Sequence, residues 1–303
     1  AWVDLSTGEF RTTEIDAAEL APLIEQCGAR ELLVSEALRP VGDSLSGLRI
    51  LLTEVEAWTH EPAYASQLLR EHFRLLSLDG CGLAERPLAT GGAGALLHYL
   101  RETQKSALDH LEVPSFLERG ADLVLDAVTI RNLELFDPIF SQDLDGNRQA
   151  TLIATVDRTR TSMGARLLRR RMLRPSRDLP EIEARLDAVA ELIRATIPRG
   201  ELTLLLGEVL DVERLLARIT LGTAGPRELV ALAKSLEQAP RLRAHLAGCQ
   251  AARLAALHGA LDDIPPLREL LRAAIADEPP ASLNDGGTVR DGYHPHLDEL
   301  RDL

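Results

Sequence analysis

Residues 158–177 hold the densest set of side chains able to act on a phosphate group. The stretch RTRTSMGARLLRRRMLRPSR contains eight arginines and no acidic residue, in a chain of formal net charge −13. Because guanidinium groups bind phosphates through paired hydrogen bonds, the segment predicts contact with the DNA backbone. The candidate DNA-binding residues are Arg166, Arg170 and Arg174.

A structural role for these arginines is the competing interpretation. If residues 162–174 form a helix, the arginines are spread around much of its circumference, whereas a DNA-binding stripe would occupy one face. Arginines on several faces more often fasten a helix to acidic neighbours through bidentate ion pairs. The distribution therefore favours pairing within the protein over direct contact with DNA.

A carboxylate near the N-terminus indicates a second kind of chemistry. Asp4 lies where a first predicted strand meets its turn, the place at which ribonuclease-H-like nucleases carry a ligand of a two-metal site. Glu54 and Asp79 are the candidates to complete such a site. The spacing does not bring the three carboxylates together, so a solvated or turn-bonding role for Asp4 is favoured.

Two further motifs lack the partners that chemistry would need. Residues 91–94, Gly-Gly-Ala-Gly, precede a predicted helix, but no Lys-Ser or Lys-Thr follows, so we expect a loop and not a P-loop. Residues 294–299 hold two histidines and two acids at a predicted helix start, without a third placed metal ligand. The sequence therefore predicts no catalytic, cofactor-binding or metal-binding residue.

Composition limits the class of protein. Acidic residues outnumber lysine and arginine by 47 to 34, so any contact with nucleic acid must come from a local basic patch. Three isolated cysteines and no signal peptide are typical of a reducing cytoplasm, and no apolar run approaches the roughly 20 residues that span a bilayer. The chain begins inside a predicted strand and ends inside a predicted helix, so we expect a piece of a longer protein.

Strands and helices alternate in the first third of the chain. The predicted elements are a hairpin at 1–15 turning at Ser6–Glu9, strands at 31–35 and 48–58, and helices at 17–27, 62–76 and 93–104. Gly8 supplies the positive φ of the turn, and Gly28 ends the first helix. This pattern predicts a compact α/β domain.

Helices dominate from about residue 122 onward. Asp178 and Glu181 have the spacing of a capping box, Asp211 is a predicted N-cap, and Gly225-Pro226 begins another helix. The apolar residues that share one face of the first of these helices are Ile182, Leu186, Val189 and Ile193. Further predictions are a helix over 267–275, a brief strand between 287 and 291, and a helix from Pro295. Apolar faces without a sustained heptad predict a helix bundle, and the fold class is α+β multidomain.

Two ordered stretches resemble a known signature. These are LVLDAVTIRNLELF (123–136) and TLIATVDRTRTSMGARLLRRRMLRPSRD (151–178), and they are similar to the start of the core domain in the MutS family of DNA mismatch repair proteins. Residues 211–232 and 284–303 resemble later core motifs, while 1–10 and 96–111 look like the two ends of the connector domain. The resemblance covers essentially the whole chain.

The resemblance implies a ribonuclease-H-like connector domain over residues 1–113. Residues 114–303 would then be the first part of an all-α core or lever domain, truncated before the clamp. The family's mismatch-reading Phe-x-Glu motif, clamp and Walker sequence have no match here, so none of those functional residues is carried over. The chain itself would therefore be no enzyme and hold no cofactor.

The resemblance also implies what the parent protein does. The parent is expected to be a cytoplasmic, homodimeric ATPase that uses ATP and Mg²⁺, acts on mismatched double-stranded DNA and has no membrane contact. A MutL-type matchmaker would bind at the connector. General DNA binding through residues 158–177 and a metal-dependent nuclease remain the alternatives.

One polar segment lies near no recognisable catalytic site and is better suited to a mechanical role. Its residues Asp126, Thr129, Arg131, Asn132 and Glu134 lie between the two expected domains. Directional donors and acceptors, those of Arg131 and Asn132 above all, would fix the angle between two bodies. We therefore expect an interdomain joint that couples the ATPase state to opening of the DNA clamp.

Overall fold

The computed structural model describes residues 1–43, 45, 48, 50–104, 108–117, 122–123, 125–139 and 151–302. The chain divides into two compact units. The first comprises Ala1–Val156 and Met172–Pro175, and the second comprises Asp157–Arg171 and Ser176–Leu303. Across the described ranges the protein is mostly helical with a small amount of sheet, as the α+β prediction requires.

The strands all lie in the described part of the first unit. They are β1 (Trp2–Val3), β2 (Phe10–Thr12), β3 (Glu31–Ser35), β4 (Leu51–Val55) and β5 (Ser115–Phe116). In one sheet β2 pairs antiparallel with β1 and parallel with β5; in the other β3 and β4 are parallel. The predicted hairpin is present, and Gly8 turns it with a φ of 83°, its amide bonding the Asp4 carbonyl at 2.8 Å.

The strand predicted over residues 48–58 is shorter than expected. Only Leu51–Val55 is extended, and residues Ala57–His60 form a 3₁₀ turn. The hydroxyl of Thr59 donates to the Glu56 carbonyl at 2.6 Å inside that turn. Local side-chain bonding of this kind competes with sheet pairing, which explains why the apolar run does not continue as a strand.

Helices cover the sheets of the first unit. They are α1 (Leu20–Cys27), α2 (Arg39–Asp43), α3 (Pro62–Phe73), α4 (Pro87–Gln104), α5 (Ala127–Asn132) and α6 (Leu152–Val156). As predicted, α1 ends at Gly28, which has a φ of 63°. The core is built where α3 packs on α4, with Leu69 and Leu97 completely buried beside Phe10 of β2.

The prediction of a loop at residues 91–94 is wrong. Helix α4 begins at Pro87 and includes the whole Gly-Gly-Ala-Gly run. A Cβ atom added at Gly91 would overlap the carbonyl oxygen of His60, and one added at Gly94 would overlap the Cβ of Ala65 in α3. Glycine is needed there so that α4 can approach the neighbouring backbone closely, which is a packing role.

Helices form almost all of the regular structure in the described part of the second unit. They are α7 (Ser162–Leu173), α8 (Leu179–Arg194), α9 (Thr196–Gly207), α10 (Val212–Thr220), α11 (Pro226–Leu236), α12 (Ala239–Leu246), α13 (Ala252–Ala260), α14 (Pro265–Ala274) and α15 (Pro295–Arg301). The last two residues of α7 belong to the first unit. As predicted, Asp211 is the N-cap of α10, and Gly225 precedes α11 with its amide bonded to Glu228 at 2.7 Å.

The core of the second unit differs from the one that periodicity indicates. Ala188 of α8 is buried with Leu246 and Leu254, and Leu192 packs against them. The predicted inward residues Leu186 and Ile193 are both 61% exposed. Helix α8 has apolar side chains on two sides, and the side bearing the small residue packs on α13, so a count of large apolar residues selects the wrong face.

Two other local predictions need correction. Asp178 stands at the N-cap of α8, but its side chain makes no capping hydrogen bond, and Glu181 accepts instead from Arg185 at 2.7 Å. The brief strand predicted near residue 289 is a single antiparallel bridge between Ile275 and Val289.

Within the described ranges, no helix has both the length and the apolar character that a membrane span requires.

Candidate functional site

The polar segment at 126–134 is a short capped helix whose end is fixed by its own side chains. The Oδ1 atom of Asp126 accepts a 2.6 Å hydrogen bond from the Thr129 amide at the start of α5. Hydrogen bonds from the Thr129 hydroxyl and amide hold the pKa of the Asp126 carboxyl below its usual value. Asp126 and Thr129 therefore act together as a helix cap, and replacement of Asp126 by alanine should destabilise the start of α5.

Glu134 organises the other end of the segment. Its φ of 47° lies in the left-handed region, so the chain reverses sharply there. Its Oε1 atom accepts from the Ile139 amide at 2.8 Å, while its carbonyl oxygen accepts from Leu152 at 3.0 Å. The adjacent carbonyl of buried Leu135 accepts from Ile153 at 3.0 Å, which ties the segment to α6.

Arg131 and Asn132 differ from the other three residues of the segment, because within the described ranges their exposed side chains make no hydrogen bond or ion pair. Asp126, Thr129 and Glu134 hold the backbone, whereas these two side chains extend from it. Their exposure leaves them available to a further contact, and their role in an interdomain joint stays a prediction.

Arg166 of α7 is held by two carboxylates. Its guanidinium donates to both oxygens of Asp211 at 2.7 Å and to Glu213 at 2.5 Å. The side chains of Arg166 and Asp211 are 28% and 18% exposed. The bonds from Arg166 hold the pKa of Asp211 below its usual value and raise the pKa of Arg166. This bidentate pair fastens α7 to the N-terminus of α10.

The other two predicted DNA-binding residues have different surroundings. Arg174 lies in the first unit, where its Nε is 3.3 Å from a carboxylate oxygen of Asp122. Arg170 is exposed on α7. The three candidates thus do not converge on one described group, and contact of Arg166, Arg170 and Arg174 with DNA stays a prediction.

Asp4 has a local role in its turn. Its Oδ1 atom accepts from the amide of Ser6 at 2.8 Å and from the Ser6 hydroxyl at 2.7 Å. Glu54 pairs with Arg39 at 2.6 Å, and Asp79 begins a 3₁₀ turn. Within the described ranges, no three potential ligands are grouped so as to hold a metal ion.

Sequence reasoning missed the second role of Asp211. The sequence predicts this residue as an N-cap, and its Oδ1 does accept from the Arg214 amide at 3.4 Å. Its shorter bonds go to Arg166, which is 45 residues away in the sequence. A cap is a local pattern, but a pair at this separation leaves no periodic signal in one sequence.

The chain matches known families over nearly all its length. A model described as MutS domain II matches residues 1–112, and one described as MutS domain III matches residues 128–302. The arginine-rich helix α7 falls within the second match, and the polar segment at 126–134 lies at its edge.

Curated relatives give the same result. The chain is 53% identical over 305 residues to the DNA mismatch repair protein MutS of Solibacter usitatus, covering 100% of this chain and 35% of that protein. It is 44% identical to the protein of the same name from Myxococcus xanthus, with 99% and 34% covered. The corresponding protein of Chlorobaculum tepidum is 38% identical, with 99% and 34% covered. The chain therefore spans about a third of the length of these relatives and belongs to the MutS family of DNA mismatch repair proteins.

Proposed function

We propose that this chain is the part of a mismatch-recognition ATPase that transmits the state of the ATPase to the DNA clamp. The chain catalyses nothing itself and binds no cofactor; ATP and Mg²⁺ bind elsewhere in the parent protein. The parent acts as a cytoplasmic homodimer on mismatched double-stranded DNA. Membership of the MutS family supports this proposal, together with the arrangement of residues 126–135.

The observation that supports this proposal is that the polar residues of the segment have two different roles. The side chains of Asp126 and Glu134 each accept a hydrogen bond from a backbone amide, which holds the segment at both ends and makes it stiff. Arg131 and Asn132 are left exposed on this stiff support. A rigid base with directional side chains transmits a displacement, whereas a flexible linker would absorb it.

We further propose that residues 1–113, which lie within the first unit, form the ribonuclease-H-like connector. The antiparallel β1–β2 hairpin and the covering helices α3 and α4 are compatible with that assignment. The unit serves as a scaffold, since Asp4 is engaged with Ser6.

Replacing Arg131 and Asn132 together with alanine is expected to uncouple ATP binding from DNA release in the intact protein. Both side chains are exposed, so the folded state should change little in stability. The measurement is the rate at which ATP dissociates the protein from a mismatched duplex, with the ATPase rate recorded alongside. We expect slower or incomplete release at an unchanged ATPase rate.

The matched control is Arg243→Ala, which removes an exposed arginine on α12. A second control is Asp126→Ala, which removes the helix cap and should lower the stability of the segment itself. Normal ATP-dependent release by the double variant would contradict the proposed joint.

A docking surface for the MutL-type partner is proposed on the first unit. A groove of about 290 Å³ lies between the end of α3 and the start of α4, lined among others by Leu78, Leu83 and Pro87. Leu76 stands at its edge with 94% of its surface exposed, so a bound partner would bury its apolar side chain.

Changing Leu76 to glutamate is therefore expected to weaken binding of the MutL-type partner at least about tenfold, the effect typical of a buried hot-spot residue. Leu38→Glu, on an exposed residue of the same unit, controls for added charge. Surface plasmon resonance with the intact protein measures both. Equal affinities for the two variants would exclude the groove as the docking site.

A further inference from the structure

The single negative charge of Glu181 lies near more than one arginine. Its Oε1 atom lies 2.7 Å from Nε of Arg185, one turn later on α8, and 3.8 Å from a terminal nitrogen of Arg253 on α13. Helices α8 and α13 pack together around Ala188 and Leu254, so the relative positions of the two arginines are set by the core of the second unit.

Arg171 of α7 lies close enough to this group for its charges to act on the Arg171 guanidinium. The residue is half-buried, and among the described residues it forms no hydrogen bond or ion pair of its own. Burial, followed by the positive charges of Arg185 and Arg253, lowers the pKa of Arg171, and Glu181 opposes that shift. Three positive charges from three helices thus lie near one carboxylate, which is paired with Arg185 and Arg253.

Comparison with Arg166 indicates a function for the group of arginines around Glu181. Two carboxylates hold the single charge of Arg166. The group around Glu181 has three arginines to one acid, in a chain whose net charge is −13. Like charges brought together repel unless an anion joins them, so the group is built for a negative ligand.

We propose that Arg171, Arg185 and Arg253 form a binding site for a phosphate group, supplied by the sugar-phosphate backbone of DNA. Guanidinium groups present paired donors that match phosphate oxygens. The side chains of Arg185 and Arg253 are 32% and 40% exposed, so a polymer backbone reaches them from solvent. The choice of DNA as the source rests on the proposed function of the parent protein.

The test measures binding of the chain to a fluorescein-labelled DNA duplex by anisotropy over a range of salt concentrations. Arg171→Gln combined with Arg253→Gln is expected to lower the association constant about tenfold at low salt. Loss of two phosphate contacts should also reduce the slope of log K against log salt by about 1.8. Arg243→Gln, the same change on an exposed arginine of α12, should leave both quantities unchanged.

A second variant moves binding in the opposite direction. Glu181→Gln removes the one acid of the group while leaving the arginines, so duplex affinity should rise several-fold. Glu183→Gln is the matched control, because it removes an equal charge from an exposed position on the same helix. A structural cluster would instead lose stability in Glu181→Gln and gain no affinity, which thermal unfolding of both variants would reveal.

Three results would overturn the proposal. These are a wild-type chain that does not bind duplex, an arginine double variant with the wild-type salt slope, and a gain in affinity that is equal for Glu181→Gln and Glu183→Gln. Binding of inorganic phosphate with no binding of duplex would identify a free anion as the ligand and refute DNA as its source. The proposed transmission function is tested separately by ATP-dependent release in the intact protein, so either proposal fails without the other.

Discussion

Replacing Gly94 with alanine is expected to destabilise the first unit by about 1–3 kcal/mol, the range typical of overpacking a close contact. The added Cβ would overlap the Cβ of Ala65, and both atoms belong to helices that pack directly on each other. Gly91→Ala should be at least as severe, because the overlapping atom is the backbone carbonyl oxygen of His60 and cannot rotate away. Urea unfolding followed by circular dichroism measures both changes.

Gly92→Ala is the internal control in the same helix. Atoms of Ala1, 3.7 and 3.8 Å away, are the nearest to a Cβ at this position, so the methyl group has room. Alanine's higher helix propensity should then stabilise α4 by up to about 1 kcal/mol. If all three variants changed stability alike, the close approach of α4 to α3 would not be what requires glycine.

Removing the guanidinium of Arg166 is expected to cost the second unit about 1.5–3 kcal/mol, as for the loss of hydrogen bonds to charged groups. The larger penalty known for fully buried pairs does not apply, since the Arg166 side chain is 28% exposed. Arg166→Ala leaves Asp211 and Glu213 close together without their shared cation. Arg166→Lys should recover only part of the loss, because an ammonium cannot form the bidentate pair.

The pH dependence of stability checks the same interaction. The pKa of Asp211 is lower in the folded protein than the ordinary value of 3.8. The stabilising effect is therefore complete above that value and is lost as the pH falls through the lowered pKa. The difference in unfolding free energy between wild type and Arg166→Ala should shrink in this acid range. Arg243→Ala, on an exposed residue, should show no such convergence.

Local signals in the sequence predicted the ends of elements well. Gly8 and Gly28 both adopt the left-handed conformation expected from their positions, and Asp211 and Gly225 both stand at helix N-caps. These features depend on the backbone needs of a few consecutive residues. One sequence therefore contains enough information to identify them.

Features that depend on tertiary packing are predicted less well from the sequence. Periodicity assigned Leu186 and Ile193 to the core, although the structure buries Ala188 on a different side of the same helix. The sequence of the α4 glycines indicates a loop, because the close neighbours that require glycine, His60 and Ala65, are distant in sequence. Tertiary contacts decide both cases.

The site residues show the same division. The cap formed by Asp126 and Thr129 lies within four residues and matches the polar pattern. The Arg166–Asp211 pair and the group around Glu181 join separate helices, so composition indicated an excess of arginines without indicating which ones pair. Family resemblance supplied the identity of the chain, but the contacts come from the structure.

The membership of residues 172–175 in the first unit has a topological consequence. Leu173 accepts from Gln26, Arg174 pairs with Asp122 and Pro175 accepts from Leu123, all within that unit. The polypeptide thus passes from one unit to the other after Val156, back after Arg171, and over again after Pro175. A single cut at any of these three passages therefore cannot separate all residues of the first unit from all residues of the second, and a chain that ends at Pro175 keeps the whole first unit only together with residues 157–171 of the second.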